Sequence, residues 1–545
     1  MKLKNISFKA ALGWLFIAVS FVMLANSVRL CFSRDIWYDE LFTIGMIEHS
    51  YGEFIHFTAQ DVHPPLYYAI TKGIVDLCKL IVSSADTIVM AKIVSVMPYY
   101  LLLIYALVFL RRRFGTFTAG AFTYCIIAMP QMSAYTVEIR MYGWALLFVT
   151  AAFFHAYEMI CDKNCSCGHY IALTLYGLAA AYTQYFACVA VIMIYVSLLI
   201  WFFIRYRLER REAAAGNITV TPVRDLHKSL KKWTICVAVS VIGYLPWLFV
   251  LLSQIQAVRE NYWILPLTWR SIGGCVKFLM KPAFSTEQVN VALAVILFLL
   301  YLTLLAERAY QTYQAWKRDE DKNVKSENFY YAAAGCIVLC GLVGFGFLAS
   351  IVIRPIFVYR YMIPAMGCFW FCFVLNLNEA FAFEAKERKN EPLQKQKTVL
   401  CVLALVLVFI IGVQDYRAFT GEEEYKIVLM KECEQALSDI AKEDIIVYNF
   451  NQLQATAGYY LPQENYLWNG TPEELIVEIF GNKAVVEGTA QIKQWLDAGK
   501  QVWFFGSFNS REDIKAQWEA DGLNVEETGS YMLERYWFNI YSVSE

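Results

Sequence analysis

Charge is what this sequence has least of. Only 17% of its 545 residues are Asp, Glu, Lys or Arg, against 58% that are hydrophobic, whereas ordinary soluble domains carry about 25% charged residues. That excludes a soluble globular protein for most of the length. The formal net charge of −1 hides a split, because Lys and Arg crowd the short stretches between apolar runs while Asp and Glu dominate the last quarter. No domain is strongly basic, so no nucleic-acid partner is expected. The first apolar run, from Ala10 to about Ala25 behind Lys2, Lys4 and Lys9, has no clear small-residue cleavage site. It is long enough to span and reads as a retained signal anchor with its N-terminus inside. Internal repeats and low-complexity tracts are absent. The segment 415–545 is acidic and soluble in character, yet has no Gly-rich phosphate loop, no Ser/His nucleophile signature and no metal motif, which points to an accessory role.

The fifteen cysteines fall mostly inside apolar runs, where they act as small buried hydrophobes. Cys161, Cys165, Cys167 and His169 form a C-x3-C-x-C-x-H cluster, but the spacing is not that of a common zinc module. The loop also reads as cytoplasmic, where thiols stay reduced.

Apolar runs of about 17 to 25 residues mark membrane spans, and the Lys and Arg between them mark the cytoplasmic side. The runs are 10–30, 87–110, 116–136, 141–160, 169–184, 185–204, 233–253, 289–306, 329–352, 361–380 and 398–414. Arg111 to Arg113 and the loops 205–232, 307–328 and 382–397 are basic and belong inside. Residues 64–83 are apolar enough to span, but a crossing there would place every later basic loop outside. They read instead as an amphipathic interfacial helix, with Pro64 and Pro65 in its first turn and Lys72, Asp76 and Lys79 on one face. The expected fold is a polytopic α-helical membrane protein of about eleven transmembrane helices with a C-terminal extracytoplasmic α/β domain. The membrane domain would cover 1–414, with a first outer loop at 31–86, and the soluble domain 415–545. In the latter, 444–450 and 501–507 read as buried strands, and 489–499 and 510–521 as helices.

The first outer loop holds most of the candidate chemistry. Asp39 and Glu40 follow the first span in "WYDE", flanked by Trp37 and Tyr38, whose rings suit the membrane interface. Asp61 and His63 follow in "DVHPPLYY". Glu138 and Arg140 ("VEIRMYG") and Arg354 and Arg360 ("RPIFVYRYMIP") lie at the outer ends of other spans. A charge at the bilayer centre costs roughly 2.5–3.5 kcal/mol on insertion scales, so span ends also collect snorkelling arginines, the plainer reading for Arg354. Together, carboxylates in one loop and guanidiniums converging from others fit transfer of a group from a lipid phosphate.

"WYDE" followed by "DVHPPLYY" resembles the first outer loop of GT-C glycosyltransferases of the protein-O-mannosyltransferase and aminoarabinose-transferase type (family 39-like), which carry an Asp-Glu pair and then D-x-H-P-P-L. "EIRMYGW" and "RPIFVYRYMIP" are similar to later elements of bacterial relatives, and the resemblance covers roughly residues 10–380. It implies a polyprenyl-phosphate sugar donor and an inverting transfer to a hydroxyl acceptor on protein, lipid or glycan. Asp39 would be the general base with Glu40 beside it. Arg140, Arg360 and His63 would hold the donor phosphate, and Asp61, Glu138, Tyr142 and Arg354 would support them. Metal use differs among such enzymes, so a divalent ion on Asp61 and His63 stays open; no other cofactor is implied. Membrane lipids are the remaining partner. The location expected is a plasma membrane, with a lean toward a bacterial one. A lipid or glycan transporter or flippase, or a non-catalytic envelope assembly protein, remains the alternative; transporters commonly show repeats and mid-membrane polar sites.

Overall fold

The computed structural model describes residues 8–545 except 34, 163–164, 215–221, 261–263, 318–321, 383–391, 462, 471–473, 481–483 and 534–535. In chain order the first helices are α1 (Phe8–Leu30), α2 (Tyr38–Glu48), α3 (Tyr51–Gln60), α4 (Leu66–Ile81), α5 (Thr87–Tyr105), α6 (Arg111–Ala128), α7 (Tyr142–Cys161) and α8 (Cys167–Thr183). They continue with α9 (Tyr185–Ala214), α10 (Pro222–Glu260), α11 (Arg270–Met280), α12 (Glu287–Lys317), α13 (Lys322–Val352), α14 (Ile363–Ala382) and α15 (Pro392–Leu437). The rest alternates β1 (Ile445–Tyr448), α16 (Asn451–Tyr460), β2 (Glu464–Trp468), α17 (Glu474–Phe480), β3 (Ala484–Val486), α18 (Thr489–Asp497), β4 (Val502–Gly506), α19 (Ser510–Ala520), β5 (Asn524–Leu533) and β6 (Tyr536–Ser544). Two compact units result. One comprises 1–29, 61–67 and 93–419, the other 30–60, 68–92 and 420–545.

The first unit is a bundle of membrane helices. Among the described residues, nine helical stretches are long and apolar enough to cross a bilayer. One of them, Thr87–Ala128, is 42 residues long, joining α5 to α6 through a π-helical turn at Ala106–Leu110. It breaks at Gly115, whose φ of +88° and ψ of 169° belong to glycine's range. The Arg111–Arg113 triplet therefore lies on helix just before the break, and the 116–136 span expected from sequence ends early, at Ala128. α8 has 17 residues, just under the length of a counted span. Taking the long stretch as two crossings and adding α8 returns the expected eleven. The chain is a multi-pass membrane protein.

Burial differs sharply between helices. In α7 and in the stretch containing α14, 89% of the apolar window is buried, against 11% in α10. The interior is aromatic: Phe153 stacks on Tyr331 at 4.5 Å, and Phe371 meets Phe154 edge-on at 5.3 Å. Such pairs add about 0.5–1.5 kcal/mol beyond area burial. α10 instead presents apolar side chains outward, as a lipid-facing helix does.

In the second unit a six-stranded sheet has the order β3-β2-β1-β4-β6-β5. β1 to β4 are parallel and β6 and β5 antiparallel. The strands expected at 444–450 and 501–507 are β1 and β4. Alternate residues bury on opposite faces, as the period of two requires: Ile446 and Tyr448 with Leu453 and Met430 on one face, Ile445 and Val447 with Trp518 on the other. Met430, Cys433 and Leu437 belong to α15, so this helix runs well past the expected span end at 414 and contributes to the sheet core. The polar 31–86 segment also belongs here in part, as helices rather than open loop. α2 docks on α17 so closely that a Cβ on Gly45 would lie 2.4 Å from Ile479 Cγ2, and His49 Nε2 contacts the Ile479 carbonyl at 2.9 Å. α4, with 16 residues, is not among the nine spans. Its Lys72 pairs with Asp76 at 3.2 Å and donates to the Ile47 carbonyl at 3.0 Å, while Leu80 and Ile81 are 83% and 75% exposed.

Candidate active site

Asp61, His63 and Arg140 meet in the first unit. The His63 Nδ1 lies 2.7 Å from Asp61 Oδ2, and Arg140 donates to the His63 Nε2 at 3.3 Å. With Nε2 accepting, the ring carries its proton on Nδ1 and donates it to the carboxylate. Burial alone would raise the Asp61 carboxyl. His63, the Val62 N–H and the Arg140 guanidinium together outweigh that and hold it below the usual carboxylate range. The "HPP" sequence places the imidazole, since two consecutive prolines fix their own φ and keep the preceding residue extended. Arg140 is 5% exposed, and its own N–H bonds the Glu138 carbonyl at 2.7 Å in the tight turn before α7.

The later motifs converge on the same place. Tyr142, at the start of α7, lies within reach of the charges of Arg360, Arg140 and Glu138. Arg360 sits in a short 3-10 helix, Tyr359–Met362, leading into α14, next to Tyr361, which stacks on Phe186 at 4.6 Å. Arg354 is half-buried earlier in the same connection.

His63 and Tyr361 also line a cavity of about 310 Å³ whose other walls include Ile192, Leu251, Ile255, Phe345 and Ile356. Its few polar atoms are organised. Trp247 Nε1 donates to the Tyr185 hydroxyl at 3.0 Å, Tyr185 donates to Gln254, and Asp61 lies within electrostatic reach of Tyr185. A cationic head beside an apolar chamber can take an anion that carries a long hydrocarbon.

Asp39 and Glu40 belong to the second unit, in the first turn of α2. Glu40 is 5% exposed, and its carboxylate accepts the Trp37 N–H at 3.1 Å, the return half of a capping box. Asp39 is half-buried. The strand-like approach to this turn is pinned by a buried pair that sequence reading missed. Lys92 Nζ lies 3.2 Å from Asp35 Oδ1 and donates to the Asp35 carbonyl at 2.7 Å and to Ser33 Oγ at 2.8 Å. Lys92 was discoverable, because a lone lysine inside an apolar run is a site by default. Tyr185, Trp247 and Gln254 gave no such signal.

Asp61 and His63 could offer two ligands to a metal. Among the described residues no group of three or more His, Cys, Asp or Glu side chains comes together in a way that could hold an ion.

The chain, a membrane-helix bundle with an α/β sheet domain, has the fold of the solved ArnT structures. It is similar to ArnT from Cupriavidus metallidurans in the apo state, with a TM-score of 0.54 and 14% identity over 98% of both chains. The same protein bound to undecaprenyl phosphate gives a TM-score of 0.52 at 14% identity, covering 97% of this chain and 98% of that one. No protein-family model and no curated protein matches the sequence.

Proposed function

We propose that the protein is a membrane glycosyltransferase that moves a sugar from a polyprenyl-phosphate donor to a hydroxyl acceptor on the outer face of the membrane, with inversion. One observation carries this: His63 bonds Asp61 and lies beside Arg140 while lining an apolar cavity, so one side chain belongs both to a cationic head site and to a hydrocarbon chamber. The fold supports it, since ArnT, crystallised with undecaprenyl phosphate, has the same architecture.

The acceptor oxygen attacks the anomeric carbon, the bond from that carbon to the phosphate oxygen breaks, and its electron pair leaves with the lipid phosphate. The acceptor proton goes to Asp39, and a single displacement inverts the centre. A positioned base contributes about 10²–10⁴-fold. The phosphate gains charge as the bond breaks, and Arg140 and Arg360 stabilise it through paired N–H donors. His63 belongs to the phosphate site through its Nε2, which accepts from Arg140 and positions that guanidinium, with Asp61 orienting its ring. Glu138, Tyr142 and Arg354 support the two arginines. Glu40 closes the α2 cap, and Asp39 beside it is the acid assigned the proton.

The test is sugar transfer from a synthetic polyprenyl-phosphate sugar to a panel of hydroxyl acceptors by the purified full-length protein. Release of polyprenyl phosphate with an inverted glycoside is expected. Donor-independent lipid movement across vesicles, without transfer, would assign the protein to transport.

A further inference from the structure

A second cavity, of about 330 Å³, lies in the first unit between α8 and α10, away from His63 and Arg140. The two helices run in the same direction. Cys236 approaches the Tyr170 carbonyl at 3.8 Å, and further along Tyr182 donates to the Gly243 carbonyl at 2.8 Å. Tyr170 and Cys236 themselves line the opening, and its walls are apolar and outward-facing: Ile171 is 58% exposed, Leu175 62%, Ile235 52% and Val239 48%.

One end of the opening is charged. Lys228, Lys232, Ile235 and Val239 recur at helical spacing on α10, so a single stripe passes from basic to apolar. The half-buried Lys232 lines the cavity, and its ammonium lies 4.9 Å from the centroid of the Tyr170 ring. Within residues 225–232 three lysines face a single acid, Asp225. From Cys167 to Leu175 the apolar wall rises roughly 12 Å at 1.5 Å per residue, less than half of the ~30 Å hydrocarbon core. That length holds the upper part of an acyl chain and leaves the remainder in the bilayer.

We propose that this crevice is a binding site for an anionic glycerophospholipid, its phosphate held by Lys232 and Lys228 and one acyl chain laid along Ile171, Leu175, Ile235 and Val239. Charge complementarity selects the headgroup, because a lysine near a membrane surface is worth about fivefold in binding anionic lipid. The ligand seals the seam between two helices of which one, α10, is almost entirely outward-facing.

The experiment is native mass spectrometry of the full-length protein released from nanodiscs containing equal phosphatidylglycerol and phosphatidylcholine of matched chains. The wild type is expected to retain phosphatidylglycerol preferentially. Lys232→Gln should reduce that preference by about fivefold, and Lys232→Arg should restore it. Val239→Trp fills the apolar end and should lower retention of both lipids together, while Lys493→Gln in the sheet domain should change nothing. An unchanged preference in Lys232→Gln would overturn the proposal. So would displacement of phosphatidylglycerol by added undecaprenyl phosphate that is abolished in Val239→Trp, which would give the crevice to the donor lipid. Because Lys232 and Val239 lie outside the proposed catalytic set, failure here leaves the transfer reaction untouched.

Discussion

Two short acid-bearing segments, the α2 turn at 37–40 and the turn at 61–65, treat their carboxylates in opposite ways. In the first, one acid bonds the backbone: Glu40 closes the helix start by accepting the Trp37 N–H, and Asp39 beside it is half-buried. In the second, the single acid is bound to a side chain that itself points onward, since Asp61 holds His63 and His63 lies against Arg140. One turn ties an acid to the backbone beside the acid proposed as the base. The other turn passes its negative charge into a cationic cluster and sets the direction of an imidazole. Two adjacent acids, then, are not two copies of one function, and a histidine two residues from an acid is not a loose loop residue.

The sharpest way to break this contrast is to remove Asp39's charge while keeping its shape. Turnover of Asp39→Asn with saturating donor should fall by about 10²–10⁴, with donor affinity little changed. Saturation matters, so that a binding defect is not read as a chemical one. Near-normal turnover in Asp39→Asn with an inactive Asp61→Asn would move the base to the second turn.

Next in size is the cationic cluster. Arg140→Lys and Arg360→Lys keep charge but lose the planar fork. A charge-assisted hydrogen bond is worth about 1.5–3 kcal/mol, so donor affinity should weaken roughly tenfold to a hundredfold, with wild-type expression and folding. Equal donor affinity in both variants, measured by isothermal titration with polyprenyl phosphate, would return these arginines to snorkelling.

How much of this could be read without coordinates depended on the physical range of each signal. Apolar runs are long and redundant, so the helices emerged, although the Arg111–Arg113 stretch reads as a loop while the chain stays helical through a π turn and bends only at Gly115. In the sheet domain, the Val/Ile/Phe-rich runs at β1 and β4 were visible because both faces are buried. The D-x-H-P-P motif was legible because its spacing is local. The grouping of Arg140 with His63 came from the family resemblance and not from local spacing, since the contact lies 77 residues apart in sequence. Glu40's capping role was hidden because a capping box and a catalytic pair share the same letters. The continuation of α15 to Leu437 was missed where its apolar run gave way to Glu422–Glu424, which ends a span but not a helix.

A smaller effect follows from the acid balance at Asp61. Its carboxyl is held below the ordinary range, so its favourable contribution to the native state is complete above the ordinary carboxylate value of about 3.9 and is lost as pH falls through its own lowered value. Thermal melts from pH 7 down toward 3 should therefore show a steeper acid loss in the wild type than in Asp61→Asn. Parallel curves would show that Asp61 is not held by His63 and Arg140 in the folded protein.

The smallest expected effect is at Glu40, and it tests the first turn from the other side. Glu40→Gln leaves an oxygen to accept the Trp37 N–H, so the bond survives, and loss of the charge near the positive end of α2 is worth about 0.3–1 kcal/mol. Glu40→Ala removes the bond as well, and helix-cap losses of that kind cost about 0.5–2 kcal/mol. Stability should thus fall in the order Gln then Ala. Turnover in Glu40→Gln should stay within about fivefold of wild type, because 1.4 kcal/mol corresponds to a factor of ten. The alternative has a distinct signature. If Glu40 touches the acceptor, turnover would drop by more than a decade in Glu40→Gln while the melting temperature hardly moved. That outcome would mean the two acids share the chemistry, and that the capping bond opens when the acceptor binds.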